Sequence, residues 1–95
     1  MTYRLAYATV RDHPRKVIRV VRVLDALLEA DEVDALCAHV REQALARHGE
    51  PDAAVVVVQG DSKETLRLTG DSYSVSRVRA AMFNAAITWQ DFALE

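Results

Sequence analysis

Residues 53–59 read Ala-Ala-Val-Val-Val-Val-Gln, and this stretch decides how the rest of the chain can be arranged. Its four consecutive valines, residues 55–58, are not interrupted by a polar residue. Successive side chains of a strand point to opposite faces of a sheet, so a strand of this kind is typical of a sheet centre that is covered on both faces. The stretch therefore predicts a buried central strand over residues 53–59.

A turn and a shorter strand follow this central strand. Gly60-Asp61-Ser62-Lys63 has the composition of a turn. In residues 64–69, Leu66 and Leu68 alternate with Arg67, which is the pattern of a half-buried strand. We therefore expect residues 53–59 and 64–69 to form a β-hairpin.

The N-terminal segment is predicted to supply another strand. Residues 2–10 alternate between large apolar and small or charged side chains, and residues 11–14, Arg-Asp-His-Pro, end the pattern. Pro14 also suits the first position of a helix, where a missing N–H costs nothing.

Residues 15–29 fit two structures. At about 100° per residue, their valines and leucines fall on one helical face with the charged side chains opposite, which predicts an amphipathic helix. Residues 16–23 hold five β-branched side chains in eight positions, which favours a strand, although each face of that strand would be mixed. We favour the helix, which gives the order β-α-α-β-β-α. The strand gives β-β-α-β-β-α.

Two further helices are predicted. In residues 31–48, Asp31 can cap the start, and Gly49 and Pro51 end the helix. Residues 71–94 form the last helix, with Asp71, Ser72 or Ser74 as its cap. The apolar stripe of the first of these helices comprises Val33, Leu36, Cys37, Val40 and Ala44.

The last helix has two apolar stripes. One faces the core and comprises Val75, Val78, Met82, Ala85, Ala86 and Trp89; the other comprises Ala80, Phe83, Ile87 and Leu94. A helix with two apolar faces is buried on two sides. Because a small domain has little interior, we predict that the second stripe contacts a second copy of the chain or a larger protein; the alternative is burial under the helix at 31–48.

Composition restricts the class of protein. The chain has 95 residues, of which 51% are hydrophobic and 27% charged, with three glycines and two prolines, and this excludes disordered and collagen-like chains. No apolar run approaches the roughly 18 residues of a membrane span, and residues 1–10 lack the pattern of a signal peptide. The single cysteine, Cys37, suits a reducing compartment, so we expect a cytoplasmic protein.

These elements predict one α+β domain over residues 1–95. We expect two layers, with a small, largely antiparallel sheet of three or four strands packed against two or three helices.

Charge is unevenly distributed along the chain, although the net charge is only −2. Residues 1–24 carry six basic side chains and one acidic side chain, whereas residues 25–52 carry eight acidic and two basic ones. A basic group in the first block could contact nucleic acid or an acidic partner, and on a helix three of its members would form one ridge. The simpler alternative is that the two blocks face each other or water. The basic group comprises Arg15, Lys16, Arg19 and Arg22.

No motif predicts catalysis, a metal site or a cofactor. The triplets Gly60-Asp61-Ser62 and Gly70-Asp71-Ser72 match a hydrolase nucleophile motif, but their positions in a turn and before a helix explain them locally. Cys37 and His39 are two residues apart, so they lie on different faces of a helix and do not form a metal pair. The chain has too few glycines for a phosphate-binding loop.

One local resemblance concerns the last predicted helix. Thr69-Gly70-Asp71, followed by Arg79, Asn84 and Trp89, resembles the helix of the small dimerising subunit of the KEOPS tRNA-modification complex. The resemblance covers about twenty residues and implies a role of this helix in subunit contact. The additional helix at 31–48 and the Arg-to-Asn spacing depart from that family's pattern.

The sequence therefore predicts a non-catalytic protein interaction module. It would act as a homodimer, or as an adaptor, inhibitor or small subunit of a larger complex, through the second stripe of the last helix. The alternative is a nucleic-acid-binding domain, or a subunit of an RNA-processing complex, that uses the basic group at residues 15–22.

Overall fold

A computed structural model describes residues 4–13, 16–24, 26–60, 65–84, 87 and 89–92. For residues 12, 13, 16 and 90–92, only the backbone is described. The elements are, in chain order, β1 (Leu5–His13), β2 (Lys16–Val23), α1 (Ala30–His48), β3 (Ala54–Gln59), β4 (Arg67–Thr69), α2 (Ser72–Phe83) and β5 (Gln90–Phe92).

The five strands form one mixed sheet in the order β4-β3-β2-β1-β5. β1 and β2 form an antiparallel hairpin, and β3 pairs with β2 in parallel, from Ile18 opposite Ala54 to Val23 opposite Gln59. β4 and β5 add antiparallel edge strands. A parallel pair needs a crossover connection, and α1 is that connection between β2 and β3.

The two helices lie on opposite faces of the sheet. The valines of β3 take part in both packing layers, because alternate residues point to alternate faces. The α1 side buries Leu5, Val21, Val23, Leu28, Val33, Leu36, Cys37, Val40, Val55 and Val57. The α2 side buries Ala8, Ile18, Val20, Val56, Val58 and Val78.

The α+β class is confirmed, and the order β-β-α-β-β-α describes the first six elements. The expected two-layer arrangement is wrong, because helices cover both faces and give three layers. The sheet has five strands rather than three or four, and its central pair is parallel. Coverage of both faces follows from the uninterrupted valines of β3, which need an apolar neighbour on each side.

The favoured helix at residues 15–29 is also wrong, because residues 16–23 form β2. The mixed faces that argued against a strand are present in the molecule. Ile18 and Val20 are buried on one face, and Val21 and Val23 on the other. Arg19 and Arg22 also lie on opposite faces, and each has a specific contact there. With each arginine accommodated on its own face, the β-branched residues of this segment pair with β1 and β3 as a strand.

The limits of α1 are set by local hydrogen bonds. The helix begins one residue earlier than predicted, at Ala30, and its N-cap is Glu29 rather than Asp31. The Glu29 backbone N–H donates to Glu32 Oε1 at 3.1 Å, as in a capping box. At the other end, Gly49 adopts φ +62°, and the N–H groups of Gly49 and Glu50 donate to the carbonyls of Leu45 and Ala44. A glycine in this left-handed conformation ends the helix as expected.

The last helix is much shorter than residues 71–94. Asp71 caps its start, since the two carboxylate oxygens accept hydrogen bonds from the backbone N–H and the hydroxyl of Ser74, each at 2.8 Å. α2 ends at Phe83, and residues 90–92 pair with β1 as β5. Trp89, predicted to be helical, instead packs against the α2 side of the sheet. The predicted stripe residues Ala85 and Ala86 lie outside the described residues.

Two leucines of α1 provide a matched test of how this helix packs. Leu36 is 7% exposed in the core on the α1 side, whereas Leu45 is 55% exposed. We expect Leu36→Ala to lower the free energy of unfolding by about 2–4 kcal/mol, because it removes buried methyl groups and leaves a cavity. Leu45→Ala should change it by less than about 0.5 kcal/mol. Urea denaturation of both variants measures the difference, and equal losses would contradict the packing described for α1.

Candidate functional site

The outer face of α2 carries exposed side chains that point away from the sheet. Phe83 is 81% exposed and Tyr73 48% exposed, and the residues between them on this face are small or basic. On a helix, positions three, four and seven apart lie on one side, so these residues form one continuous surface. We define the outer face of α2 as Tyr73, Ser76, Arg77, Ala80 and Phe83, all of which are exposed.

Two of the four predicted contact residues belong to this face. Ala80 and Phe83 are exposed on α2. Ile87 follows the helix and packs against the core on the α2 side, so it does not continue the stripe. Leu94 lies outside the described residues. The predicted stripe therefore ends at Phe83, because the helix that would have extended it ends there.

Tyr73 and Arg77 also belong to this face, although the apolar pattern of the sequence did not predict them as members. Tyr73 precedes Ala80 by seven residues, which is two helical turns, and Arg77 lies between them. A search for apolar stripes omits Arg77 because it is charged. Tyr73 lies outside the predicted stripe because that stripe extends from Ala80 towards the C-terminus, beyond the end of the helix.

Charge distinguishes the outer faces of the two helices. α2 contains Arg77 and Arg79 and has no acidic residue between Ser72 and Phe83. α1 has the composition of an ordinary solvated helix, with charges of both signs interspersed. Its exposed charged residues include Asp31, Asp34, Arg41, Glu42 and Arg47.

The predicted basic ridge does not form. Arg19 and Arg22 are three residues apart on a strand, so they point to opposite faces of the sheet. The Arg22 guanidinium lies 5.8 Å from the centre of the Trp89 ring on the α2 side, within the range of a cation–π interaction. Arg15 and the side chain of Lys16 lie outside the described residues. Nucleic-acid binding by these residues remains a prediction, which retention on nucleic acid at low salt would test.

Arg19 is instead an internal contact on the α1 side. Its Nη1 donates to Thr9 Oγ1 at 2.9 Å, and its Nη2 forms an ion pair with Glu50 Oε1. The two charged side chains are only 13% and 20% exposed. Glu50 belongs to the segment that follows α1, so this ion pair joins the end of the helix to the sheet. It also joins the basic first block of the sequence to the acidic second block.

The candidate nucleophile positions of the sequence are Cys37 and the two Gly-Asp-Ser triplets, and burial limits the reactivity of Cys37. Burial raises the pKa of the Cys37 thiol, and nearby Arg41 offsets this only in part. A thiol with a raised pKa is a poor nucleophile at neutral pH, because little of it is ionised. Asp71, in the second Gly-Asp-Ser triplet, acts as the cap of α2. In the first triplet, Asp61 and Ser62 lie outside the described residues.

The described part of the chain offers no metal cluster and no membrane-spanning helix. Cys37 is buried, and His39 Nε2 lies 3.0 Å from Gln43 Nε2 on the next turn of α1, so Cys37 and His39 do not converge. Within the described ranges, no three His, Cys, Asp or Glu side chains come together as metal ligands. Neither described helix is both long enough and apolar enough to cross a bilayer.

Comparison with known proteins gives no match. No family model, curated protein or solved structure matches the chain. The resemblance of residues 69–89 to a KEOPS subunit therefore gains no support. A function can be inferred only from the geometry of the chain itself.

The contact between Arg19 and Glu50 predicts a loss of stability when the acid is removed. Glu50→Ala would leave the Arg19 charge largely buried without its counter-ion, and we expect the free energy of unfolding to fall by about 2–4 kcal/mol. Asp52→Ala changes an exposed acid in the same segment and should cost less than about 0.5 kcal/mol. Chemical denaturation of both variants makes the comparison. Equal effects would show that the ion pair does not hold the end of α1 to the sheet.

Burial of Cys37 predicts slow reaction with thiol reagents. We expect the native chain to react with a disulfide reagent at least about a hundredfold more slowly than the urea-unfolded chain, since attack requires an exposed thiolate. The matched control combines Cys37→Ala with Ala38→Cys, which moves the thiol to the adjacent exposed position. The control should react rapidly in both states. Fast labelling of native Cys37 would contradict its burial.

Proposed function

We propose that the chain is a non-catalytic interaction module that binds a larger protein through the outer face of α2. The observation that carries this proposal is the exposure of Phe83 and Tyr73 on the same side of one helix, with Arg77 between them. Single exposed apolar residues are normal on protein surfaces and need no explanation. The proposal therefore rests on the alignment of two aromatic side chains and an arginine on one helix face, and not on the exposure of either aromatic alone.

The composition of this face matches the residues that contribute most to protein–protein binding. Tyr, Phe and Arg are enriched in interfaces, whereas Lys, Glu, Asp, Ser and Ala are depleted; three of the five residues of the outer face of α2 are of the enriched types, and none is Lys, Glu or Asp. Ser76 and Ala80 are small and would let a partner approach the helix closely. The inner side of α2 is held to the sheet by Val78, so the outer face is presented on a fixed element.

Charge favours a partner that differs from this chain. If two copies packed α2 against α2, Arg77 and Arg79 of one copy would approach those of the other, and like charges that meet across an interface weaken binding. The exposed acids of α1 could receive α2 of a second copy, but such a contact joins different surfaces and gives a ring or an open chain of copies rather than a closed dimer. We therefore infer a partner whose binding groove is apolar with an acidic rim.

We infer a cytoplasmic setting for this interaction. The chain has a single cysteine, and it is buried on α1. Proteins that keep a free thiol and use no disulfide suit a reducing compartment.

Phe83→Asp tests the proposal directly. The side chain is exposed, so we expect the free energy of unfolding to change by less than about 0.5 kcal/mol. Binding should fall by about 2 kcal/mol or more, because the variant puts a charge where an aromatic anchor is buried by the partner. Leu45→Asp is the matched control, since it introduces the same charge at an exposed apolar position on the other helix.

Two measurements read out these variants. Light scattering coupled to size exclusion, at low and high salt, should give the mass of a single chain for all three proteins. A dimer that Phe83→Asp dissociates would overturn the inference of a different partner. A photo-crosslinking side chain at position 83, placed in the cell of origin, should then capture one acidic protein. Arg77→Glu should abolish that product, and position 45 should not yield it; the same product from both positions would contradict the proposal.

A further inference from the structure

On the opposite side of the sheet from α2, beyond the end of α1, lies a polar cleft of about 420 Å³. Its floor comes from the β1–β2 hairpin, where Arg11 is paired with Val17 and Thr9 with Arg19. Its wall comes from the end of α1 and the segment that leads to β3. The lining residues are Arg11, Val17, Arg19, His48, Gly49, Glu50, Asp52 and Ala53.

The cleft arises because the sheet is longer than the helix that covers it. Along β1, the side chains facing α1 change from the apolar Leu5 and Tyr7 to Thr9 and Arg11. α1 packs on the apolar half and ends at His48. Among the described residues, the polar half is therefore roofed by the segment after the helix, which Glu50 ties to Arg19. A volume of this size is within the range of small-molecule sites, roughly 300–1,000 Å³.

We propose that this cleft binds a small molecule through a carboxylate or phosphate group, with Arg11 and Arg19 as its ligands in the protein. Arginine presents five N–H donors in a planar fork that suits both oxoanions. Arg11 is exposed at the cleft, so its guanidinium can be reached by a ligand.

Arg19 already holds an oxoanion in this cleft, which is the carboxylate of Glu50. Only Nη2 of Arg19 contacts that carboxylate, and Nη1 is used by Thr9. Nε is buried and has no hydrogen-bond partner among the described residues. Nε and Nη2 lie along one edge of the guanidinium, where a carboxylate or phosphate can accept two parallel hydrogen bonds. A ligand oxoanion makes the two-pronged contact with this edge by taking the place of the Glu50 carboxylate, since Nη2 is occupied and Nε is buried.

The remaining groups favour an anion over a cation. Glu50 is engaged by Arg19, and Asp52 is the only other acid among the described lining residues. His48 adds a further nitrogen that can donate.

Inorganic phosphate and succinate are the probes that test this site. Each is added to the ¹⁵N-labelled chain at constant ionic strength, so that general screening by salt stays fixed. We expect saturable shifts of the backbone amides of Gly49, Glu50 and Ala53 and of the Arg19 Nε–H signal. Binding of phosphate alone would assign a phosphate ester as the ligand, binding of succinate alone would assign a carboxylate, and binding of both would assign a general oxoanion site.

Arg11→Ala is the decisive variant, because Arg11 is exposed and its removal should leave the fold intact. We expect this variant to lower the affinity for the probe about tenfold or more, because it removes a charge-assisted hydrogen bond. Arg67→Ala removes an exposed arginine from the edge strand β4, which pairs with the Gln59 end of β3 rather than with the Ala54 end beside the cleft, and it should change the affinity by less than about twofold. Shifts that do not saturate with either probe, that map elsewhere, or that are the same in Arg11→Ala and Arg67→Ala would overturn the proposal.

Discussion

The parallel pairing of β2 with β3 is the constraint on which the rest of this fold depends. It places six consecutive residue pairs, from Ile18 opposite Ala54 to Val23 opposite Gln59, in the middle of the sheet. Parallel strands cannot be joined by a tight turn, so the chain must leave the sheet and return, and α1 forms on that path. Because both strands bury apolar side chains on both faces, a second helix is needed on the other side. The positions of α1 and α2 thus follow from one strand pair.

The same constraint separates the two surfaces to which we assign binding roles. A strand in the centre of a covered sheet sends alternate side chains to different compartments. Arg19 reaches the α1 side and meets Glu50, while Arg22 reaches the α2 side and lies near Trp89. The cleft beyond α1 and the outer face of α2 are therefore separated by the thickness of the sheet. A ligand in one does not compete for space with a partner on the other.

Local chemistry in the sequence was sufficient to predict some elements. The valines of β3 and the glycine after His48 each act over a few residues, and these elements formed nearly where expected, although the cap of α1 is Glu29 rather than Asp31. Residues 16–23 were predicted less well, because helical periodicity and β-branching favoured different structures. The strand wins through pairing with β1 and β3, which are distant partners that a local pattern does not contain. The predicted length of α2 was wrong for a similar reason, since residues 90–92 leave the helical path to pair with β1.

Of the four residues predicted for the α2 contact, only Ala80 and Phe83 therefore lie on the outer face. The cleft was not predicted at all, because its residues come from segments that are separated in sequence.

The pairing of β1 with β5 has a consequence for how the chain acquires its structure. Leu5 lies opposite Phe92, so the first strand completes its hydrogen bonding only with the last one. A chain that emerges from the ribosome in order presents β1 long before β5 exists, and an unpaired strand edge invites association with other chains. Contacts between such distant residues also slow folding, since a large loop must close before they form. One edge of β1 thus stays open until residues 90–92 have been made. Arg11 and the irregular register beside it are features that discourage a foreign strand from pairing there.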